Sequence, residues 1–186
     1  MHVSDAISTR RSIKRFTSRP VTREEIETLL SAAVTAPNHR LTQPWRFYVL
    51  GPEARQAYGL VLGGRKAKKI EDPEAAQTMR DTVAAEHRAL PAMLVVALVD
   101  NENPETREED YAAAMMGIQT LSLAAVALGL GTHMKTGAVM SDPDARAAAG
   151  VKDGERIVAV LNIGEPAEVP APKPRQPASA FTTWRP

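Results

Sequence analysis

The chain has no cysteine, which excludes disulfides, thiolate metal sites and a cysteine nucleophile together. It also lacks an excess of charge of either sign. With 23 Lys+Arg against 22 Asp+Glu the net charge is +1, so no whole-molecule field gathers nucleic acid or a membrane surface, and any basic site must be local. No apolar run approaches the roughly 20 residues needed to cross a bilayer. Met1-His2-Val3-Ser4-Asp5 has no apolar signal core, and a cytoplasmic protein is the expectation. The four histidines, His2, His39, His87 and His133, are isolated from one another, and none belongs to an i, i+4 pair with an acidic neighbour, so no metal site is expected. Gly-x-Ser-x-Gly and Walker A elements are missing, and Gly129-Leu130-Gly131 lacks the third glycine of a dinucleotide loop.

What is present suits one folded domain, residues 1–186: the apolar share is 44%, enough for a full core. Ser4 or Asp5 can cap a short helix running to Arg10. Thr22-Arg23-Glu24-Glu25 reads as a capping box, and Ile26, Leu29, Leu30 and Ala33 follow at i, i+3, i+4 and i+7, so a helix with one buried face ends before Pro37. Trp45 to Leu50, rich in aromatic and β-branched residues, predicts a strand. Pro52–Leu62 and Pro73–Leu90 read as helices, separated by Gly63-Gly64 and by a solvated, mobile run from Arg65 to Lys69. Ala92 to Val99 has the continuous apolar character of a strand buried on both faces, the expected centre of the sheet. The longest helical signal, Thr106 to Leu128, is apolar nearly all round and so predicted to be buried, with Met115 and Met116 as filler of the core or of a subunit interface. A short helix from Asp142-Pro143 to Gly150 and a strand from Arg156 to Ile163 complete the regular elements.

Beyond Gly164 the chain changes character. Residues 165–177 hold Pro166, Pro170, Pro172, Pro174 and Pro177, which force an extended backbone with few internal hydrogen bonds. Residues 165–186 therefore read as an arm, and Phe181 and Trp184 near its end call for an anchoring pocket, such as one on another subunit.

Chemistry concentrates near the start. Arg10, Arg11 and Ser12 offer two guanidinium groups and a hydroxyl, a set that can grip a phosphate, with Lys14 placed to reach a polar ring edge. The same residues also suit a plain solvated basic stretch. Ala36-Pro37-Asn38-His39 and Gln43-Pro44-Trp45-Arg46-Phe47 follow behind the capped helix, where Asn38 and His39 suit either a ligand or an ordinary helix-end hydrogen bond.

These motifs, with the alanine-rich helix that ends in Gly129-Leu130-Gly131 and the proline-rich arm, resemble the FMN-dependent nitroreductase family, in its short, single-domain branch of NAD(P)H nitroreductases, across nearly the whole chain. The resemblance implies an α+β fold with a central mixed or antiparallel sheet flanked by helices. It also implies a homodimer with two shared FMN sites, and C-terminal arms exchanged between subunits. Arg10, Arg11, Ser12 and Lys14 would bind FMN from one subunit, with Thr35 and His39 approaching from the other, and Asn38 is a further cofactor-binding candidate. Met134, Lys135 and Thr136 would form a second contact, with backbone N–H groups near Thr136-Gly137 facing flavin N5, and Lys173 and Arg175 would reach the phosphate. Met134 stands where a larger aromatic would be expected, and Lys135 and Thr35 where arginines would be unsurprising. The implied activity is ping-pong hydride transfer from NADH or NADPH, through FMN, to a nitroaromatic, quinone or similar small electron-poor acceptor. No catalytic side chain is implied, because the cofactor carries the chemistry. Other readings are a specialised flavin oxidase, dehydrogenase or dehalogenase on the same scaffold, and a flavin-binding protein without turnover. No nucleic acid and no membrane is expected as partner.

Overall fold

The computed structural model describes residues 1–185. Its four strands are β1 (Trp45–Val49), β2 (Ala92–Val99), β3 (Gly131–Lys135) and β4 (Glu155–Gly164). They form one sheet in the order β1-β2-β4-β3, every neighbouring pair antiparallel. The only parallel element among the described residues is the single bridge from Ser12 to Thr132 at the β3 edge. Of the two expected sheet types, the antiparallel one is realised.

Two helical layers cover the sheet. Leu94, Val96 and Leu98 of β2 point to one face and pack with Ile26 and Leu29 of α2 (Arg23–Ala33) and with Ile118 and Leu121 of α5 (Pro104–Ala127). Met93 and Val95 point to the other face. They meet Tyr58 of α3 (Pro52–Ala67) and Ala145 and Ala149 of α6 (Pro143–Ala149), while α4 (Pro73–Arg88) packs along α3. β2 is thus buried on both faces, as its unbroken apolar run predicts. The register of β2 on β4 slips between Val96 and Ala97, a bulge that leaves Val158 unpaired and sends both Val158 and Ala159 to the α2–α5 side.

Local signals hold at most helix ends. Thr22 caps α2 by accepting from the Glu25 amide at 3.2 Å, while Glu25 returns a bond to the Thr22 amide at 2.9 Å. α1 (Val3–Thr9) starts earlier than its sequence suggests: His2 is the N-cap, and Asp5 serves from the third position, accepting from the His2 amide at 3.2 Å.

Three expectations need correction. Gly63-Gly64 does not separate α3 from α4, because α3 runs through both to Ala67. Gly59 and Gly63 lie on the face that meets α4: a Cβ on Gly63 would fall 2.7 Å from Arg80 Cα, and one on Gly59 2.8 Å from His87 Cβ. The glycines are there for close helix–helix approach, a packing requirement that outweighs their weak helix propensity. The charged residues of the Arg65–Lys69 run are solvent-exposed, as expected, but the run is not a separate segment, since it closes α3 and Arg65 pairs with Asp142 at 3.1 Å. Finally, α5 is not buried all round: a single chain leaves Tyr111 41% and Met116 42% exposed.

Candidate functional site

The cation cluster lies where α1 ends. Arg10 is the C-cap, and Arg11 turns back so that its Nη1 donates to the carbonyls of Ser8 at 2.7 Å and Arg10 at 2.9 Å, satisfying orphan groups of the helix end. Its Nε is buried without a partner. Ser12 then joins the sheet edge beside Thr132, and the Ile13 amide donates to the Thr132 carbonyl at 2.9 Å. That pairing places Lys14 over β3.

The arm is tied to the same segment. The Thr17 amide donates to the Glu165 carbonyl at 2.9 Å, the Ala167 amide to the Arg15 carbonyl at 3.0 Å, and Arg15 pairs with Glu168 at 3.3 Å. So anchored, the proline-rich chain runs back along Arg10–Arg15. It walls a cleft of about 590 Å³ in which Arg10, Arg11, Lys14 and Arg15 meet Lys173 and Arg175 from the other end of the sequence. Glu168 is the one carboxylate in that lining. The cleft is a strongly positive site in a nearly neutral chain, open to water, with the donor set a phosphate dianion needs. Phe181 and Trp184 lie beyond it and are 79% and 89% exposed, so a single chain provides no pocket for them.

Lys14 also borders a second groove of about 580 Å³, shared with His133, Lys135 and Asn162. These come from β3 and β4. β3 itself went unread in the sequence, because its five residues follow Gly129-Leu130 without the alternation of a half-buried strand. Its pleat sends His133 and Lys135 into the groove. Met134 projects from the opposite face and is exposed. Asn162 is 5% exposed and its Oδ1 has no protein partner. His133 is held below the usual histidine value, first by burial and then by the charges of Lys135 and Lys14. Lys135 is likewise held below the usual lysine value, first by burial and then by Lys66, with Glu86 opposing. Gly137, just past β3, has φ +139 and open space around its Cβ position, a backbone any larger residue would adopt only with strain.

Thr35, Asn38 and His39 do not line this cleft or this groove in the same chain. Thr35 donates its hydroxyl to the Ala32 carbonyl at 2.8 Å at the end of α2. The Asn38 amide is committed locally, donating to Thr42 Oγ1 at 2.9 Å and accepting from the Gln43 amide at 2.7 Å, while Thr42 donates to the buried carboxylate of Asp110. This chain of bonds braces a strained turn, with Arg40, Leu41 and Gln43 at φ 61, 51 and 45. Asn38 therefore takes the local hydrogen-bonding role its position allows, and His39 stands exposed on the braced turn. Tyr58, His87 and Asn162 carried no motif; each is a lone polar residue on an apolar face, which is the only mark the sequence gives them.

No group of three or more metal-ligating side chains occurs among the described residues, and none of their helices is long and apolar enough to cross a membrane.

The model of the nitroreductase family matches residues 7–165, which takes in the Arg10–Lys14 cluster, the braced turn and all four strands. The chain belongs to the nitroreductase family. It is similar to YfhC of Bacillus subtilis (strain 168), which carries the name of an NAD(P)H nitroreductase, at 35% identity over 176 residues, or 93% of this chain and 89% of that one. Among solved structures, the nitroreductase-like family protein from Bacillus cereus matches with a TM-score of 0.85 and 28% identity, covering 100% of this chain and 96% of the other. A family protein from Desulfovibrio desulfuricans, solved in complex with FMN, matches with a TM-score of 0.73 at 25% identity, covering 99% of this chain and 96% of the other. The nitroreductase fold, α+β with helices on both faces of the sheet, is thus shared beyond the matched motifs.

Proposed function

We propose that this nitroreductase-family chain is an FMN-dependent NAD(P)H oxidoreductase, acting as a homodimer in the cytoplasm on small electron-poor acceptors such as nitroaromatics and quinones. The observation that carries the reading is the cleft in which cations from opposite ends of the chain converge beside β3.

The residues present fit the cofactor. Arg10, Ser12, Lys173 and Arg175 can hold a phosphate dianion from several sides, while Arg11, part of whose guanidinium caps α1, contributes chiefly charge and support. Next to them lies the groove bordered by Lys14, where the buried, unpartnered Asn162 Oδ1 needs a donor such as a ring imide N–H. Phosphate and ring sites are contiguous because Lys14 borders both. The open backbone at Thr136-Gly137 supplies N–H groups for a ring edge that no side chain crowds.

When bound, FMN supplies hydride chemistry between NAD(P)H and the acceptor, in a ping-pong sequence that uses one open ring face in turn. The chain's own part is positioning and electrostatics. Lys14 sets a cation beside the polar ring edge and favours negative charge there. The exposed Tyr111 and Met116 of α5 and the aromatic arm end, Phe181 and Trp184, are covered by the second subunit. In that assembly the strained turn presents His39, with Thr35 beside it, to the partner's site, and Asn38 holds the turn in shape.

The test is an absorption spectrum of the purified protein followed by anaerobic titration with NADH and NADPH. Flavin bands that bleach with either nucleotide and return on adding a nitroaromatic or quinone are the expected result. A colourless protein, or a yellow one that neither nucleotide bleaches, would overturn the proposal.

A further inference from the structure

Behind β3, on the α3–α4 side of the sheet, lies a pocket of about 220 Å³ that shares no lining residue with the cationic cleft but shares His87 and Lys135 with the groove bordered by Lys14. Leu62, Met93 and Val160 make its apolar walls, and Tyr58, His87 and Lys135 bring the polar atoms. Two of these belong to residues more than nine-tenths buried and have no protein partner: the Tyr58 hydroxyl, on a residue 1% exposed, and His87 Nε2, on a residue 7% exposed. Their chemical roles follow from their surroundings. Burial, with the charge of Asp142, pushes Tyr58 up to about 12, so its hydroxyl keeps its proton and can donate. His87 Nδ1 lies 2.7 Å from the Val83 carbonyl, which can only accept; Nδ1 therefore carries the proton, and Nε2 offers a lone pair. Lys135 contributes an ammonium to the same space, and no carboxylate lies within ion-pair distance of it among the described residues.

A donor, an acceptor and a cation around one apolar space are costly to keep if nothing fills it, since a buried polar atom without a partner costs about 1–3 kcal/mol. The size is also selective. The cavity exceeds the roughly 150 Å³ void that accepts benzene yet falls short of the roughly 300 Å³ at which drug-sized pockets begin. One ring fits, with a small polar head.

We propose that this cavity binds a single-ring organic anion of the aromatic carboxylate class: the carboxylate is held by Lys135 and the Tyr58 hydroxyl, the ring by Leu62, Met93 and Val160, and a ring hydroxyl or amine donates to His87 Nε2. The site adjoins the groove read as the flavin-ring site, with which it shares Lys135 and His87, while its Tyr58 hydroxyl and its apolar walls lie outside both that groove and the cleft.

The experiment is calorimetric titration of the protein as purified with benzoate, benzamide and the hydroxybenzoates, with flavin content recorded separately from the spectrum. Benzoate should bind about tenfold or more tightly than benzamide, and a hydroxybenzoate of suitable geometry more tightly still. Lys135→Met should abolish the preference for the anion, and Lys135→Arg should restore most of it. Tyr58→Phe should weaken benzoate several-fold while raising the melting temperature of the ligand-free protein, because it deletes an unpartnered buried hydroxyl. Absence of binding at millimolar concentration would mean that water alone satisfies these atoms. Equal affinity for benzoate and benzamide, or affinity unchanged in both Tyr58→Phe and Lys135→Met, would put the ligand elsewhere. Each of these results overturns the proposal, as would a Tyr58→Phe protein that melts lower with benzoate affinity intact. A protein without flavin that still prefers benzoate would refute the flavin reading alone.

Discussion

The cationic cleft and the cavity behind β3 handle charge in opposite ways. In the cleft, six cationic side chains stand together in water, with Glu168 as the one carboxylate. Solvent and salt screen their repulsion, so crowding them costs little. In the cavity a single ammonium and two neutral polar groups face apolar walls, and desolvation is the first cause shifting Tyr58, His87 and Lys135 away from their ordinary values. An open site collects charge by number. A narrower, more apolar one relies on a few atoms, each left without a partner.

The largest effect expected is on the open site. Removing residues 168–186 keeps the Thr17–Glu165 and Ala167–Arg15 bonds but takes away Lys173, Arg175 and the aromatic end. Flavin should be lost on dialysis, and light scattering should show monomer. A flavin-loaded dimer would mean that the arm is no wall of the site. Arg10→Ala should weaken FMN binding by about 1.5 to 3 kcal/mol, the range for a hydrogen bond to a charged group, while leaving benzoate affinity alone. Loss of both would erase the distinction between the two regions.

The apolar-walled site is better probed through the helices that frame it. Gly63→Ala puts a methyl 2.7 Å from Arg80 Cα and forces α4, which carries His87, away from α3. We expect a loss of about 1–3 kcal/mol, the usual cost of overpacking. At the adjacent Gly64 a methyl meets nothing within 4 Å, and Gly64→Ala should stabilise the helix by about 0.5–1 kcal/mol. Thermal melts that rank the two substitutions the other way would refute the close approach of α3 and α4.

The smallest effect is a pH slope. Burial holds His87 and His133 below the usual 6.5, so as pH falls through 6.5 the unfolded chain takes up protons that the native one refuses. Stability should be level above that pH and decline below it. Lys135, held below the usual 10.5, has the same sign in the alkaline range, adding stability as pH rises from its native value toward 10.5. His87→Gln should flatten part of the acid limb in denaturant titrations. An unchanged limb would exclude burial of a neutral His87.

The elements that the sequence announced are those whose signals are local. Thr22 and Glu25 cap α2 with each other, Asp142-Pro143 and Gly150 bracket α6, and the apolar run of β2 leaves no alternative to a buried strand. The Arg10–Lys14 cluster belongs with them, since cations that act from water need no buried setting to be recognised. Where the reading failed, the deciding partner was distant in the chain. Gly63-Gly64 looks like a break until α4 is laid against it, β3 is too short to declare itself before β4 pairs with it, and α5 looks buried all round until Tyr111 and Met116 are seen to be left uncovered.

The sequence by itself therefore determined most helix ends, the central strand, the cluster of cations after α1 and the extended arm, each through interactions spanning a few residues. Tertiary structure alone decided that the arm returns to wall the cleft, that Asp110 steadies the turn carrying His39, and that Tyr58, His87 and Lys135 share one cavity. Burial and unmet hydrogen bonds are properties of surroundings, and surroundings exist only once the chain has folded.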